Sequence, residues 1–580
     1  MSPTRRRYAG VEPDKAKGAT YTPELLAGFV AEQILRAATP NLGRTVRILD
    51  PAVGDGALLD ALIGRLPDAW CNDLEVVGFD TDVNALHEAR QKLARRLPEH
   101  RLRLEKRDFL SYVLDSHAAP DLLSAEADER FDLVIANPPY VRTQVMGAAQ
   151  AQQIARTFGL SGRVDLYYPF VLGIGRVLAQ RGTAGIITSN RFMTTKSGQA
   201  VRGAVLSSFD VLHAWDLGDT KLFDAAVLPA VLLVRGREHP GGAHTGSVGF
   251  SSVYETRDEA ALTCTDPVAA LAAQDDSVVD VPDGRRFRVR HGSLEHGNAA
   301  DGVWRIATPA TDTWLTTVQS HTWDTFKRIG KIRVGVKSTA DKVFVRSDWD
   351  VLPGGRPELL RPLVTRHVAR RYRAAVPTDL GQRKEILYPH EVTASGRRFA
   401  VDLARYPKAQ RYLEAHRTTL EARTYVTAAG RSWYEIWVPQ DPGAWCNPKL
   451  VFPDISDEPV FWMDMGGGVV NGECYWLQAG TPGDAELLWL ALAVANSSFI
   501  VAFYDHRFHN KLYAGRRRFI TQYVEQFPLP DPALPLSAEI VALTKRIYAS
   551  TPSAEARMLE EQLDRLIWKV FGLSAKEIAA

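Results

Sequence analysis

Cysteine is scarce in this chain: Cys71, Cys264, Cys446 and Cys474 stand far apart, with no CxxC pair. That spacing excludes a zinc ribbon and a disulfide framework, and it fits a reducing compartment. His506 and His509 have no companion ligands around them, so no metal is expected. No apolar run is long enough to cross a bilayer, and the basic stretch Met1 to Gly10 lacks the apolar core of a signal peptide. The expectation is a cytoplasmic protein without a membrane partner. Neither sign of charge dominates: 70 Lys and Arg stand against 68 Asp and Glu, a net charge of +2. Any nucleic-acid surface must therefore be a local patch. Internal repeats, low-complexity tracts, a full GxGxxG fingerprint and an acidic-plus-lysine nuclease motif are also missing.

What is present is substantial. With 580 residues, 45% hydrophobic and 24% charged, the chain is long enough for two large units with real cores. Its organising stretch runs from Phe131 through Leu133-Val134-Ile135-Ala136 to Asn137-Pro138-Pro139-Tyr140. It reads as a buried strand stopped by two prolines, and open α/β sheets bind their ligands at that edge. An exocyclic amine conjugated to a ring is a poor nucleophile because its lone pair is delocalised. Two acceptors aimed at its hydrogens favour a pyramidal nitrogen with a localised pair. The Asn137 side-chain oxygen and the Pro138 carbonyl can be those acceptors, and Tyr140 can lie flat against the ring. The bland alternative is a strand-ending turn.

The preceding residues suggest a second ligand at the same edge. Thr22-Pro23 reads as a helix start, a capping hydroxyl followed by proline, with Leu25, Leu26, Phe29, Val30 and Ile34 at helical spacing. Val46 to Leu59 is strand, tight glycine turn and helix, an arrangement that lets backbone approach a nucleotide-like ligand. A second strand ends in Asp80-Thr81-Asp82, where an acid can accept from both ribose hydroxyls. At Arg107-Asp108-Phe109, Asp108 can take an adenine amino group and Phe109 can cover its face. Each acid alone could equally cap a helix. In series they indicate a doubly wound sheet with an adenosine-type ligand along its edge, and the incomplete GxGxxG pattern favours another adenosine cofactor over NAD. Later, Phe223 falls on a loop between strands, where either core packing or a flipped base would cover it.

A turn-rich boundary at Arg237 to His244 predicts a first domain over 1–240, a less regular domain over 241–535 and a terminal helical segment over 536–580. In the second half, basic residues interleave with aromatics. Arg370, Arg371 and Arg373 form one cluster, and Lys511, Arg516, Arg517 and Arg518 another, with Asp505 the only nearby acid in sequence. These are candidates for gripping a nucleic-acid backbone; a solvated basic face is the alternative.

Together these stretches resemble the gamma class of N6-adenine DNA methyltransferases, the TaqI-like group of type II restriction–modification systems. The likeness covers most of the first 240 residues, in the class's own order. It implies a doubly wound, Rossmann-like catalytic domain and then a mixed α+β target-recognition domain. By motif, Thr22, Asp50, Ala52, Gly54, Asp80, Thr81, Asp108, Phe109, Pro139 and Phe170 would line the S-adenosylmethionine pocket. Asn137, Pro138 and Tyr140 would bind the target adenine, with Phe223 stacking on its other face. Asp50 departs from the glutamate often found in the glycine-turn motif. The resemblance further implies a bacterial or archaeal protein that acts as a monomer on double-stranded DNA, with a separate cognate endonuclease. Readings left open are a methyltransferase for RNA or for a protein glutamine amide, and a DNA-binding specificity subunit without catalysis.

Overall fold

Strand β1 (Val46–Asp50) is buried at every position, the charged Arg47 and Asp50 included. The computed structural model describes residues 22–118, 130–139, 156–158, 167–195, 198–218, 229–237, 247–256, 264, 266–273, 275–280, 284–296, 302–376, 381, 383–508 and 516–574. Around β1 lie β2 (Leu74–Asp80), β3 (Leu102–Lys106), β4 (Phe131–Ala136) and β5 (Leu178–Ser189). Beyond them come β6 (Phe209–Asp216), β7 (Pro229–Gly236), β8 (Gly249–Glu255), β9 (Ser277–Asp280), β10 (Arg286–Glu295) and β11 (Arg305–Ala307). They form one sheet in the order β11-β10-β8-β6-β7-β5-β4-β1-β2-β3, with β9 paired to β10. Strands β1 to β5 are mutually parallel, and β7 runs antiparallel between β5 and β6. The expected doubly wound α/β architecture is the one found.

Helices α1 (Glu24–Ala37), α2 (Ala57–Ile63) and α3 (Val83–Leu93) cover one face; α4 (Phe109–Ala118), α5 (Tyr167–Val177) and α6 (Gln199–Ser208) cover the other. Period-two alternation places Leu133 and Ile135 in the first core, and Val134 and Ala136 in the second. A strand buried on both faces reads as a continuous apolar run, and each such side chain contributes roughly 1.5–3 kcal/mol. At Gly185 on β5, a Cβ would come within 2.7 Å of Val30 and 2.8 Å of Ile34, so glycine is what lets α1 lie against the sheet. Strand β1 has β2 on one side and β4 on the other, so the winding reverses there, where such sheets hold ligands.

The first unit does not stop at residue 240. It runs to Thr308, because β8 pairs in parallel with β6 and β10 and β11 extend the sheet further. The turn-rich stretch near 240 joins strands inside one unit; it does not separate two. The sequence signal marked a loop, and the covering of the β6 edge by a later strand is invisible without pairing.

The second unit begins at Pro309 and takes in the C-terminal helices Pro535–Ser550 and Ala554–Val570, which share its core. Lys449–Pro453 is the middle strand of a five-stranded sheet. Its Lys449 is wholly buried, with Nζ 2.8 Å from Asp464 and donating to the Trp445 carbonyl at 2.8 Å. Helices Ala485–Ala495 and Ser498–Phe508 form an apolar pair bent by 80° and packed into this core. Among the described residues no single helix is long and apolar enough to cross a membrane.

Candidate active site

Asp50 ends β1 and Asn137 follows the end of the adjacent β4, with Leu49 paired to Val134 just behind them. Asp50 is fully buried. Its Oδ1 accepts from the Ala52 N–H at 3.0 Å, while Oδ2 has no partner among the described residues. Burial pushes the carboxyl up to about 8; the Ala52 hydrogen bond opposes the rise, and the charges of Asp80 and Asp55 add to it. Such a group favours a ligand that brings a donor or positive charge.

Beyond Asp50 the backbone turns through Gly54 at φ +49°, where an added Cβ would meet nothing within 4 Å. The Gly54 N–H donates to Asp80 Oδ2 at 2.9 Å, and the Asp82 N–H donates to Oδ1 at 2.9 Å. Asp80 is thus fixed by two backbone donors, and each oxygen keeps a lone pair for a further donor. Thr81 beside it is exposed.

Other predicted groups are placed differently from the simplest expectation. Asp108 accepts from the Ser111 N–H at 3.0 Å and from the Ser111 hydroxyl at 2.9 Å, so it caps α4. Phe109 is only 1% exposed, packed 5.5 Å from Phe170 and 6.2 Å from Phe79; it forms the floor of this edge, not an open face. Thr22 does not cap α1. The helix begins after Pro23 without a side-chain cap, and the Thr22 hydroxyl accepts from Asn137 Nδ2 at 3.0 Å. With its nitrogen committed, the Asn137 amide keeps its Oδ1 buried and without a partner among the described residues. Pro138 is buried and Pro139 partly so. Tyr140 and Phe223 lie outside the described residues.

Sequence reasoning passed over one cluster at this edge. Buried Asp216, at the end of β6, accepts from Asn190 at 2.9 Å, from the Gly218 N–H at 3.2 Å and from the Tyr254 hydroxyl. Burial raises its carboxyl, and those three donors work against the rise. Gly218 has φ +54° and sits so near Val253 that no side chain fits. The only sequence signal was one more acid at a strand end; Tyr254 comes from β8, a strand that was assigned to the second domain.

The predicted basic residues divide. Arg370 and Arg373 are exposed, as is Arg516. Arg371 reaches the Asn496 carbonyl and Glu560. Arg517, 9% exposed, is held by both oxygens of Asp505 at 2.8 and 2.7 Å, and Arg518 by Asp454 at 3.0 and 3.2 Å. These three are structural ties, not open cations. Lys511 lies outside the described residues.

The family described as Eco57I restriction-modification methylase matches residues 72–223, from β2 past the Asn137 edge. Over 574 residues the chain is 35% identical to the type II methyltransferase M.BanIII of Aneurinibacillus aneurinilyticus, covering 96% of this chain and 97% of that one. The chain belongs to the type II methyltransferases of restriction–modification systems. This type II methyltransferase is also 26% identical to M.PaeR7I of Pseudomonas aeruginosa, over 98% of its own length and 93% of that relative. Among solved structures, a nuclease-deletion mutant of the Type ISP restriction-modification enzyme LlaGI, in complex with a DNA substrate mimic, has a TM-score of 0.53. At 9% identity over 92% of this chain and 47% of that one, the likeness is one of fold. The methyltransferase acts on DNA and uses S-adenosylmethionine. Its residues fit that cofactor: an unpartnered buried acid at Asp50, open space at Gly54 and a backbone-anchored carboxylate at Asp80.

Proposed function

We propose that this methyltransferase is of the gamma class and methylates N6 of an adenine flipped out of duplex DNA. The observation that carries the reading is the Asn137 amide, whose nitrogen is held by Thr22 while its buried oxygen is left for a donor. An exocyclic N6 amine is a donor of that kind. Asn137 Oδ1 and the Pro138 carbonyl take its two hydrogens and turn its lone pair outward. Tyr140 and Phe223 close on the two faces of the ring. Extrusion costs a few kcal/mol of pairing and stacking, which those contacts offset.

Asp50, Ala52, Gly54, Asp80, Thr81, Asp108 and Pro139 hold the cofactor, over a floor made by Phe109 and Phe170. Bound there, it supplies an electrophilic methyl on a sulfonium. Asn137 Oδ1 and the Pro138 carbonyl would hold the N6 lone pair toward that methyl, whose transfer would leave the sulfur as a neutral thioether and release one N6 proton to water. Orientation and fixed dipoles provide most of the acceleration. The residues from 309 onward then serve target recognition. The chain works as a monomer in a bacterial or archaeal cytoplasm and protects host DNA from a separate cognate endonuclease. Relatives aligned over nearly the whole chain, all type II methyltransferases, support DNA over RNA or a protein amide.

The test is modification-sensitive sequencing of DNA from a methylation-free host expressing wild type or Asn137→Ala. One motif carrying N6-methyladenine, lost in the variant, is the expected result. Modified cytosine, or unmodified DNA from folded, cofactor-binding protein, would sink the reading.

A further inference from the structure

The second unit contains an open concavity of about 510 Å³, lined by Arg398, Phe399, Arg431, Glu435, Trp437 and Gln440. One wall is the segment 432–440, which has no extended helix or strand yet is pinned along its length. Buried Arg423 donates to the carbonyls of Trp433 at 2.7 Å and Glu435 at 3.1 Å. His390 accepts from the Ile436 N–H at 3.0 Å, Arg431 donates to the Trp437 carbonyl at 2.7 Å, and Val438 exchanges two backbone bonds with Lys337. The Tyr388 hydroxyl donates to the Pro439 carbonyl at 2.6 Å, and Gln440, at φ +64°, donates through Nε2 to Val334 at 2.7 Å. An irregular segment held by so many hydrogen-bond partners is preorganised, as recognition surfaces on rigid scaffolds are.

The other wall is a β-hairpin, His390–Val392 paired with Arg398–Ala400. Its turn, 393–397, is tied by the Thr393 N–H to the Arg397 carbonyl at 2.9 Å, with Gly396 at φ +82°. The hairpin leaves apolar surface in water: Val392 is 38% and Phe399 37% exposed. It also presents two cations, Arg397 and Arg398, with no carboxylate in ion-pair range among the described residues. The other arginines of this unit divide: Arg346, Arg356, Arg366 and Arg417 are paired with Asp348, Glu385, Glu473 and Glu421, whereas Arg370, Arg373 and Arg557 are exposed, like the hairpin pair but without an apolar side chain presented beside them on a ribbon. Between residues 392 and 401 there is no acid at all.

We infer that this hairpin and the pinned segment beside it read the DNA recognition sequence. The inference rests on the chain acting on duplex DNA. A two-stranded ribbon fits the major groove, where arginine forks, amide oxygens and carboxylates discriminate base edges. Arg397 and Arg398 meet phosphate and base edges. Phe399 offers a flat apolar face to a thymine methyl or base edge. Glu435 and the free oxygen of Gln440 accept from amino groups along the groove floor. The firmness of the 432–440 wall makes the discrimination sharp, because a wrong base cannot be met by rearrangement.

The test uses the full-length protein and the motif found by sequencing. Arg398→Ala and Phe399→Ala are compared with wild type and with Arg557→Ala, a change at an exposed arginine on the helix Ala554–Val570. Binding is followed by fluorescence anisotropy on motif-bearing and scrambled duplexes. Thermal stability and S-adenosylmethionine affinity are measured alongside. The expected result is about a tenfold or greater loss on the motif duplex, a smaller loss on the scrambled one, and a motif relaxed at one or more positions. Cofactor affinity and melting temperature stay at wild-type values, and Arg557→Ala changes nothing. Hairpin variants that keep wild-type affinity and motif while wild type methylates DNA would overturn this inference and leave the proposed reaction standing. Equal weakening on both duplexes with an unchanged motif would also overturn it, reducing the hairpin to a backbone grip. A wild-type protein that neither binds nor modifies duplex DNA would remove both.

Discussion

The side-chain nitrogen of Asn137 donates to the hydroxyl of Thr22, 115 residues earlier, at 3.0 Å. One hydrogen bond thus orients the amide proposed to hold the target amine, and it ties that amide to the residues leading into α1. Replacing Thr22 by valine keeps the shape and removes the acceptor. A hydrogen bond of this kind is worth about 0.5–1.5 kcal/mol, so kcat should fall roughly three- to tenfold. Single-turnover methylation measures it. Asn137→Ala, which removes the acceptor itself, should cost about 10²–10³-fold with cofactor affinity retained.

Asp50 predicts a pH dependence with a definite sign. Its carboxyl titrates near 8 in the folded chain, against 3.8 when free. The folded state therefore binds the extra proton, and without cofactor Asp50's own contribution to stability is fully present below about pH 4 and is lost as pH rises to about 8. A cationic ligand reverses the preference, so cofactor binding should release a proton near neutrality. Thermal melts from pH 5 to 9 on wild type and Asp50→Asn check the first point; the variant should show a flatter profile. Calorimetry in buffers of different ionisation enthalpy checks the second.

Gly185→Ala should act on the site from a distance. The new methyl would sit 2.7 Å from Val30 and push α1, with Thr22 at its head, off the sheet. Overpacking of this sort costs about 1–3 kcal/mol. Denaturant melts should show that loss, together with weaker cofactor binding.

Two arginines from the same sequence pattern should behave oppositely. Arg517→Ala breaks a largely buried pair with Asp505 and should destabilise the protein by about 1.5–3 kcal/mol. Arg370→Ala, at an exposed side chain, should leave stability unchanged and reduce the salt slope of DNA binding by about one. Chemical denaturation and salt-dependent anisotropy separate the two.

Local features were readable in advance. Strand β4 and the Asn137 edge stood out because a run buried on both faces must be apolar and two prolines must end it. The Gly54 turn and Asp80 followed from the same logic. What escaped depends on chain segments far apart in sequence. Thr22 looked like a helix cap because its partner lies beyond four strands. Arg517 and Arg518 looked like open cations because Asp454, and the Asp457 carbonyl that Arg517 also reaches at 2.9 Å, come from another part of the chain. The boundary near 240 was misplaced because a turn-rich loop looks the same inside a unit as between units.

That last point bears on the making of chimaeras. Strand β6 offers its outer edge to β8, and the sheet continues to β11 before the unit closes at Thr308. A swap of recognition modules between relatives, joined at 240, would strip those strands and leave β6 as a bare edge that invites intermolecular pairing. The same graft joined after Thr308 would carry an intact sheet, so the productive seam for building new sequence specificities lies some seventy residues downstream of the obvious one.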